Sequence, residues 1–326
     1  MIYGNSLERV GNTPLVKLAI PEFKNIRVYA KLEMCNPTGS VKDRAAFYIL
    51  KKIIADQIID KNTTILESSS GNFGVALAAY TNLFGLKFKC VVDPHISPVN
   101  KMLIEHYGGS LISVTEPDDS GGYLLNRIKK VNELLKLIPN SYWINQYENW
   151  YNSEAYYESL GYELVKEMGS IDYAFMGVSS GGTITGVSRK IKEHFPNAKI
   201  FAVDITGSVI FGHPPKKRYI PGIGSSIRPG ILKQAKLDGH ILVDEATTVK
   251  MCLRLLKDNH IFAGGSSGSV FAGILKFFKD YKENRKLDVV TIFADRGERY
   301  TDTIYNERWA GKFIKKISNP DANSAN

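Results

Sequence analysis

Hydrophobic and polar positions fall into a repeating alternation along this chain, a short run with strand-like composition followed by a longer stretch with one apolar helical face. Gly11-Asn12-Thr13-Pro14-Leu15-Val16 predicts a turn feeding a short strand, and Arg27 to Leu32 a second strand rich in branched and aromatic residues. Behind the turn Asn36-Pro37-Thr38-Gly39-Ser40-Val41-Lys42-Asp43-Arg44, the apolar residues Ala45, Ala46, Ile49, Leu50, Ile53 and Ile54 share one helical face, with Ser40 as N-cap. Strands are expected at Thr63 to Leu66, Phe88 to Val92 and Leu111 to Val114, with helices opening at Val75, at about Pro98 and at Gly121. The second half continues with strands Ile171 to Val178, Ile200 to Asp204, Ile241 to Val243 and Val289 to Phe293. Helices Ile184 to His194, Glu245 to Lys257 and Ser269 to Lys279 lie between them. The stretch from Gly207 to Pro229, rich in Gly and Pro, predicts a functional loop, because structureless segments of that length are uncommon inside compact domains. The polar tail 318–326 predicts disorder.

Such alternation implies an α/β fold with mostly parallel sheets, whose ligands collect at the carboxyl ends of the strands. Four loops fall there: Ser68 to Gly74, Ser179 to Thr183, Ala263 to Gly268 and Ala294 to Gly297. Lys42 lies near the positive end of its helix, a position that lowers an ammonium pKa and favours the neutral, nucleophilic amine. Ser179-Ser180-Gly181-Gly182-Thr183 offers backbone N–H groups, hydroxyls and a helix start, a cradle for phosphate without basic residues. It lacks the lysine of a nucleotide-binding P-loop and the spacing of a dinucleotide site, so a small phosphorylated cofactor fits better. A phosphate cradle together with an activated lysine points to pyridoxal phosphate. Ser266 can give the pyridine nitrogen a neutral hydrogen bond, which suits β-elimination better than transamination.

Composition narrows the reading. The chain has 326 residues, ordinary apolar and charged fractions and a net charge of +9, which favours anionic ligands. Its basic residues are scattered and lack the context nucleic-acid binding needs. Cys35, Cys90 and Cys252 form no CxxC pair, there is no metal-ligand spacing, and neither a signal segment nor a bilayer-length apolar run is present; a reduced cytoplasm is expected.

Gly11 to Leu15, Asn36 to Arg44, Ser70-Gly71-Asn72, Ser180 to Thr183 and Gly264 to Gly268, in this order over nearly the whole chain, resemble the cysteine synthase family of fold-type II pyridoxal phosphate enzymes. The resemblance implies a tryptophan synthase beta-like fold of two three-layer domains. A smaller mobile substrate domain is expected over 37–146, and a larger cofactor domain over 1–36 and 147–317. Lys42 would be the Schiff-base lysine, Asn72 would bond the cofactor's ring hydroxyl, Ser179, Ser180, Gly181, Gly182 and Thr183 would hold its phosphate, and Ser266 its ring nitrogen. Ser69, Ser70, Gly71, Asn72 and Phe73 would receive the substrate carboxylate, with Gln146 facing it. A homodimer is implied as well.

Further stretches are similar to one branch, the N-(2-amino-2-carboxyethyl)-L-glutamate synthases of siderophore (staphyloferrin B type) and antibiotic pathways. They include Val91-Val92-Asp93-Pro94, Glu116-Pro117-Asp118, Gly121-Gly122-Tyr123-Leu124, Trp143 to Tyr147, Gly207 to Gly212 and Asp295-Arg296-Gly297. That branch joins O-phospho-L-serine to L-glutamate with release of phosphate, on the route to L-2,3-diaminopropionate. A dianionic leaving group needs a cation or several donors, and Arg127, with Tyr147 and Ser179, is the candidate. The alternative is a cysteine synthase that uses O-phosphoserine or O-acetylserine with sulfide. Arg228 sits one position later than the branch's arginine, and Ala294 stands where the branch has proline.

Overall fold

The computed structural model describes residues 2–118, 121–282 and 284–318. Six strands make one sheet: β1 (Leu15–Lys17), β2 (Ile26–Leu32), β7 (Tyr173–Gly177), β8 (Lys199–Ile205), β9 (Gly239–Val243) and β10 (Leu287–Phe293). The other four, β3 (Thr64–Ser68), β4 (Lys87–Val92), β5 (Ser110–Ser113) and β6 (Ser141–Trp143), make the second. The orders are β1-β2-β10-β7-β8-β9 and β5-β4-β3-β6, and every pair is parallel except β1 with β2. This is the expected α/β class. The interior strands β3 and β10 are buried at every residue, as parallel strands covered on both faces must be.

The helices follow the strands: α1 (Lys42–Ala55), α2 (Asn72–Leu83), α3 (Pro98–His106), α4 (Leu124–Leu137), α5 (Trp150–Tyr156), α6 (Tyr162–Glu167), α7 (Gly182–His194), α8 (Glu245–Asn259), α9 (Gly265–Phe277) and α10 (Glu307–Ser318). Three differences from the sequence reading matter. α2, α7 and α9 start two to four residues earlier than expected, at Asn72, Gly182 and Gly265. Strand β6 and the run from Trp150 to Glu167, in which a π-helical turn (Tyr157–Gly161) joins α5 to α6, have no counterpart in the apolar pattern. That run is held by tertiary packing: a Cβ at Gly186 of α7 would lie 2.2 Å from the Ser153 carbonyl oxygen, so the two helices touch backbone to backbone. Finally, Ser318 closes α10, while 319–326 of the expected tail lie outside the described residues. No helix among the described residues is long and apolar enough to cross a membrane.

The Gly11 to Leu15 and Asn36 to Arg44 motifs meet in a buried ion network. Arg44 is 2 % exposed, with Nε 2.6 Å and Nη2 2.8 Å from the Glu33 carboxylate and Nη1 2.6 Å from Glu163. Thr13 and Asn36 donate to Glu33, and Lys31 reaches Glu163 and Glu167. Burial pushes the Glu163 carboxyl up, but Arg44 more than offsets this and holds it at about 2. Removing one member of such a network leaves uncompensated buried charge. Arg44→Ala should therefore lower the unfolding free energy by about 3–5 kcal/mol, read by urea denaturation, and a change below about 1 kcal/mol would refute the network's role. Because the Glu163 contribution is complete above its ordinary 4.5 and lost as pH falls towards 2, the gap between wild type and variant should narrow in acid.

Candidate active site

The first residue of α1 is Lys42. The turn before it spends its polar groups on itself: Asp43 accepts from the Thr38 N–H (2.8 Å) and hydroxyl (2.7 Å) and from Tyr80 (2.9 Å). Ser40 accepts from the Lys42 N–H at 3.2 Å, although the N-cap position itself belongs to Val41. Val41 N–H donates to the Ala294 carbonyl at 2.8 Å, which seats the turn on the end of β10. Lys42 is half-buried as a residue, but protein surrounds its amine. Desolvation lowers its pKa to about 8, opposed by the charges of Asp295 and Glu67. Burial, rather than the helix end invoked from sequence, is the main cause.

Lys42 Nζ lies 3.4 Å from Ser180 Oγ, so the lysine and the Ser179 to Thr183 turn form one site. Gly181 adopts φ +86°, a left-handed conformation that directs the chain into α7, whose first N–H groups have no intrahelical acceptor. A Cβ at Gly182 would lie 2.4 Å from Asn152 Oδ1, so only glycine fits under this cradle. The Ser179 hydroxyl donates to the Gly224 carbonyl at 3.0 Å, committing its proton to the 207–229 loop. Ser266, buried in the first turn of α9, has no side-chain hydrogen-bond partner among the described residues.

The opposite wall comes from the four-stranded sheet. Ser69, Ser70 and Gly71 turn from β3 into α2, which Asn72 and Phe73 begin. Arg127 Nη1 donates to Ser70 Oγ at 2.9 Å and pairs with Asp93 at 3.2 Å; its Nε is buried with no partner. Gln146 Nε2 approaches the Ser68 carbonyl at 3.4 Å, and its N–H donates to Glu67 at 3.3 Å. Glu67 also accepts from Ser68 N–H and from the Trp143 indole, and burial pushes its carboxyl up to about 7. Burial raises the pKa of the Tyr147 hydroxyl, against the charges of Arg127 and Arg218. Arg228 makes no side-chain hydrogen bond or ion pair among the described residues.

Lys42, Asn72, Ser180 and, across the cleft, Ser70, Arg127 and Gln146 are thus brought to facing ends of two sheets. The sequence reading did not name Glu67, Asp93 or Asp295 as site residues. Each is a buried carboxylate whose role is visible only through a partner distant in sequence, although Asp93 and Asp295 lie within stretches that resembled the branch.

A phosphate ester with an aromatic ring fits these residues: a helix start with glycines and hydroxyls but no cation at one end, a buried unpaired serine for the ring, and a partly neutral lysine beside Ser180. The pattern of the family described as "Pyridoxal-phosphate dependent enzyme" matches residues 7–295. Among solved structures, the O-acetylserine dependent cystathionine beta-synthase from Helicobacter pylori is 33% identical, with TM-score 0.87, over 93% of this chain and 98% of that one. A hydrogen sulfide-producing enzyme from Fusobacterium nucleatum is 29% identical, with TM-score 0.86, over 92% and 100%. An O-ureido-L-serine synthase is 26% identical, with TM-score 0.86, over 94% and 96%.

The amine of Lys42 yields a direct prediction. In cofactor-free protein, its labelling by an arylating reagent, followed residue by residue by mass spectrometry, should rise with pH through a midpoint near 8 and not near the ordinary 10.5.

Proposed function

The chain belongs to the pyridoxal-phosphate dependent enzyme family, its cofactor is pyridoxal phosphate, and on that premise we propose that it joins O-phospho-L-serine to L-glutamate. The products are N-(2-amino-2-carboxyethyl)-L-glutamate, on the route to the siderophore precursor L-2,3-diaminopropionate, and phosphate. The observation that carries this reading is Arg127: a guanidinium beside the Ser69 to Phe73 loop, tethered by Ser70, with a buried Nε that no protein group satisfies. A buried donor left unpaired is costly, and an anionic substrate group is the partner that would relieve it.

The proposed roles follow from position. Lys42 would hold the cofactor covalently, the 179–183 cradle its phosphate, Ser266 its ring nitrogen and Asn72 its ring oxygen. Bound there, the cofactor supplies an electron sink for charge that develops at the substrate α-carbon. The Ser69 to Phe73 turn, opening α2, would bind the α-carboxylate through backbone N–H groups, assisted by Gln146. Lys42 Nζ, once free, takes the α-proton; phosphate leaves the β-carbon toward Arg127 and Tyr147, the glutamate amine adds there, and Nζ returns the proton. A partly neutral amine suits that exchange, since a proton must both arrive and depart. Closure of the 37–146 domain, which carries the four-stranded sheet, would exclude water from the site. A homodimer in the reduced cytoplasm completes the proposal.

One observation favours a second reading. The Helicobacter pylori relative is O-acetylserine dependent, and Ser179 has already given its proton to Gly224, leaving one donor fewer for a phosphate leaving group. A cysteine synthase acting with sulfide would use the same Lys42, Asn72 and Ser266.

Two variants test the proposal. Lys42→Ala should abolish the visible absorption of protein-linked cofactor and all product formation, and a yellow, active variant would refute the role of Lys42. Arg127→Ala should lower kcat/KM for O-phospho-L-serine tenfold to about a hundredfold while leaving O-acetyl-L-serine within a few-fold; equal losses would exclude a leaving-group role. Mass spectrometry of the wild-type products with L-glutamate and with sulfide then decides the acceptor.

A further inference from the structure

Asp295 follows β10 and is the point at which the separate parts of the site are joined. Its backbone bridges Ser40, two residues before Lys42, and its carbonyl accepts from Gly264 N–H, the N-cap of the helix carrying Ser266, at 2.9 Å. Its side chain is 1 % exposed. Oδ2 accepts from Asn72 Nδ2 at 2.7 Å and from the Tyr300 hydroxyl at 2.8 Å; Oδ1 is buried with no partner. A Cβ at Gly264 would lie 2.0 Å from Oδ1, so the carboxylate fits only because that position is glycine. Among the described residues no cation pairs directly with Asp295. Lys42 of α1 and Arg299 are the positive groups that act on it, and Glu298, Cys252 and the Tyr300 and Tyr305 hydroxyls are the other titratable groups around it.

An amide nitrogen carries two hydrogens. With one committed to Asp295, the Asn72 amide can neither flip nor rotate freely, and its second hydrogen has a fixed direction. The same carboxylate is the largest electrostatic influence that keeps a proton on the Lys42 amine against desolvation. We propose that Asp295 is a positioning residue of the cofactor site: its Oδ2, steadied by Tyr300, sets the Asn72 amide toward the cofactor ring, and its carboxylate, seated by the Ser40 bridge at the start of α1, acts on Lys42. Burial raises the Asp295 carboxyl pKa, so the charge acts fully only where that carboxyl is ionised. The inference rests on the cofactor and not on the choice of substrates, and its test uses neither substrate.

The experiment compares Asp295→Asn, Asp295→Ala and Tyr300→Phe with wild type in two readouts: pyridoxal phosphate affinity, from the visible band on reconstitution of cofactor-free protein, and the pH midpoint of Lys42 arylation. Asp295→Asn keeps the shape and an acceptor oxygen but removes the charge. It should retain cofactor affinity within about threefold and move the Lys42 midpoint to lower pH by at least half a unit, because a neighbouring anion no longer favours the ammonium. Asp295→Ala removes the acceptor as well and should weaken cofactor binding about tenfold or more, with Tyr300→Phe in between. A Lys42 midpoint unchanged in Asp295→Asn overturns the electrostatic role, and cofactor affinity unchanged in Asp295→Ala overturns the positioning role. If the alanine variant does not fold, the asparagine midpoint and the Tyr300→Phe affinity decide the two roles alone.

Discussion

The structure depends on keeping one amine partly deprotonated inside a protein interior without letting the surrounding charge collapse onto it. Desolvation alone would drive the Lys42 proton off, and a directly paired carboxylate would lock it on. Asp295 and Glu67 act on the amine without forming an ion pair with it, and the result is an intermediate proton affinity. The turn that presents Lys42 is rigid for the same reason. Asp43, Thr38 and Asn36 spend their polar groups on buried partners within or beside the turn, and Arg44 anchors the first turn of α1 to Glu33 and Glu163. A mobile lysine would find a carboxylate; this one is held where it does not.

Around that amine, the binding surfaces are built largely from helix starts. α2 and α7 open behind glycine and serine at the carboxyl end of a strand, and α9 opens with Gly265 and Ser266 after the Ala263 bridge, so that first-turn N–H groups, rather than cations, are offered there. Backbone donors suit a cofactor that must change charge during turnover, since they neutralise little and move little. Cations enter elsewhere: Arg127 lies on the substrate side and already shares Asp93. On the proposed roles, the helix starts of α7 and α9 would face the cofactor, and Arg127 with the start of α2 the substrate.

What could be read from the sequence follows from this construction. Lys42, the 179–183 turn and Ser266 sit in contiguous motifs whose glycines and hydroxyls have no better use, and the strand and helix alternation is legible because the buried parallel strands are mostly apolar. The helix starts were expected too late, at Val75, Ile184 and Ser269, because Gly and Ser have poor helical propensity. Here close approach and exposed N–H groups override propensity, as at Gly182 against Asn152. The run from Trp150 to Glu167 is helical through its packing on α7, which no periodicity announces. Asp295 and Glu67 are single acidic residues in otherwise apolar strand ends. Only the three-dimensional meeting of Asp295 with Asn72 and Tyr300, and of Glu67 with Gln146 and Trp143, shows what they do.

The chain also separates what a family can share from what a member must choose. The elements that fix Lys42, Asn72 and Ser266 leave little freedom: Gly264 cannot gain a side chain without striking Asp295, nor Gly182 without striking Asn152. The elements proposed to face the second substrate are of another kind. The 207–229 loop is held by Arg218 to Gly207 and Ser226 and by Ser179 to Gly224, mostly through backbone carbonyls, and Gly207 and Gly224, at positive φ, are the positions there with no room for a Cβ. A loop anchored by its backbone can change its side chains without disturbing the lysine. On physical grounds, then, relatives that process different serine derivatives should differ there and at the position of Arg127, while the joint at Asp295 stays.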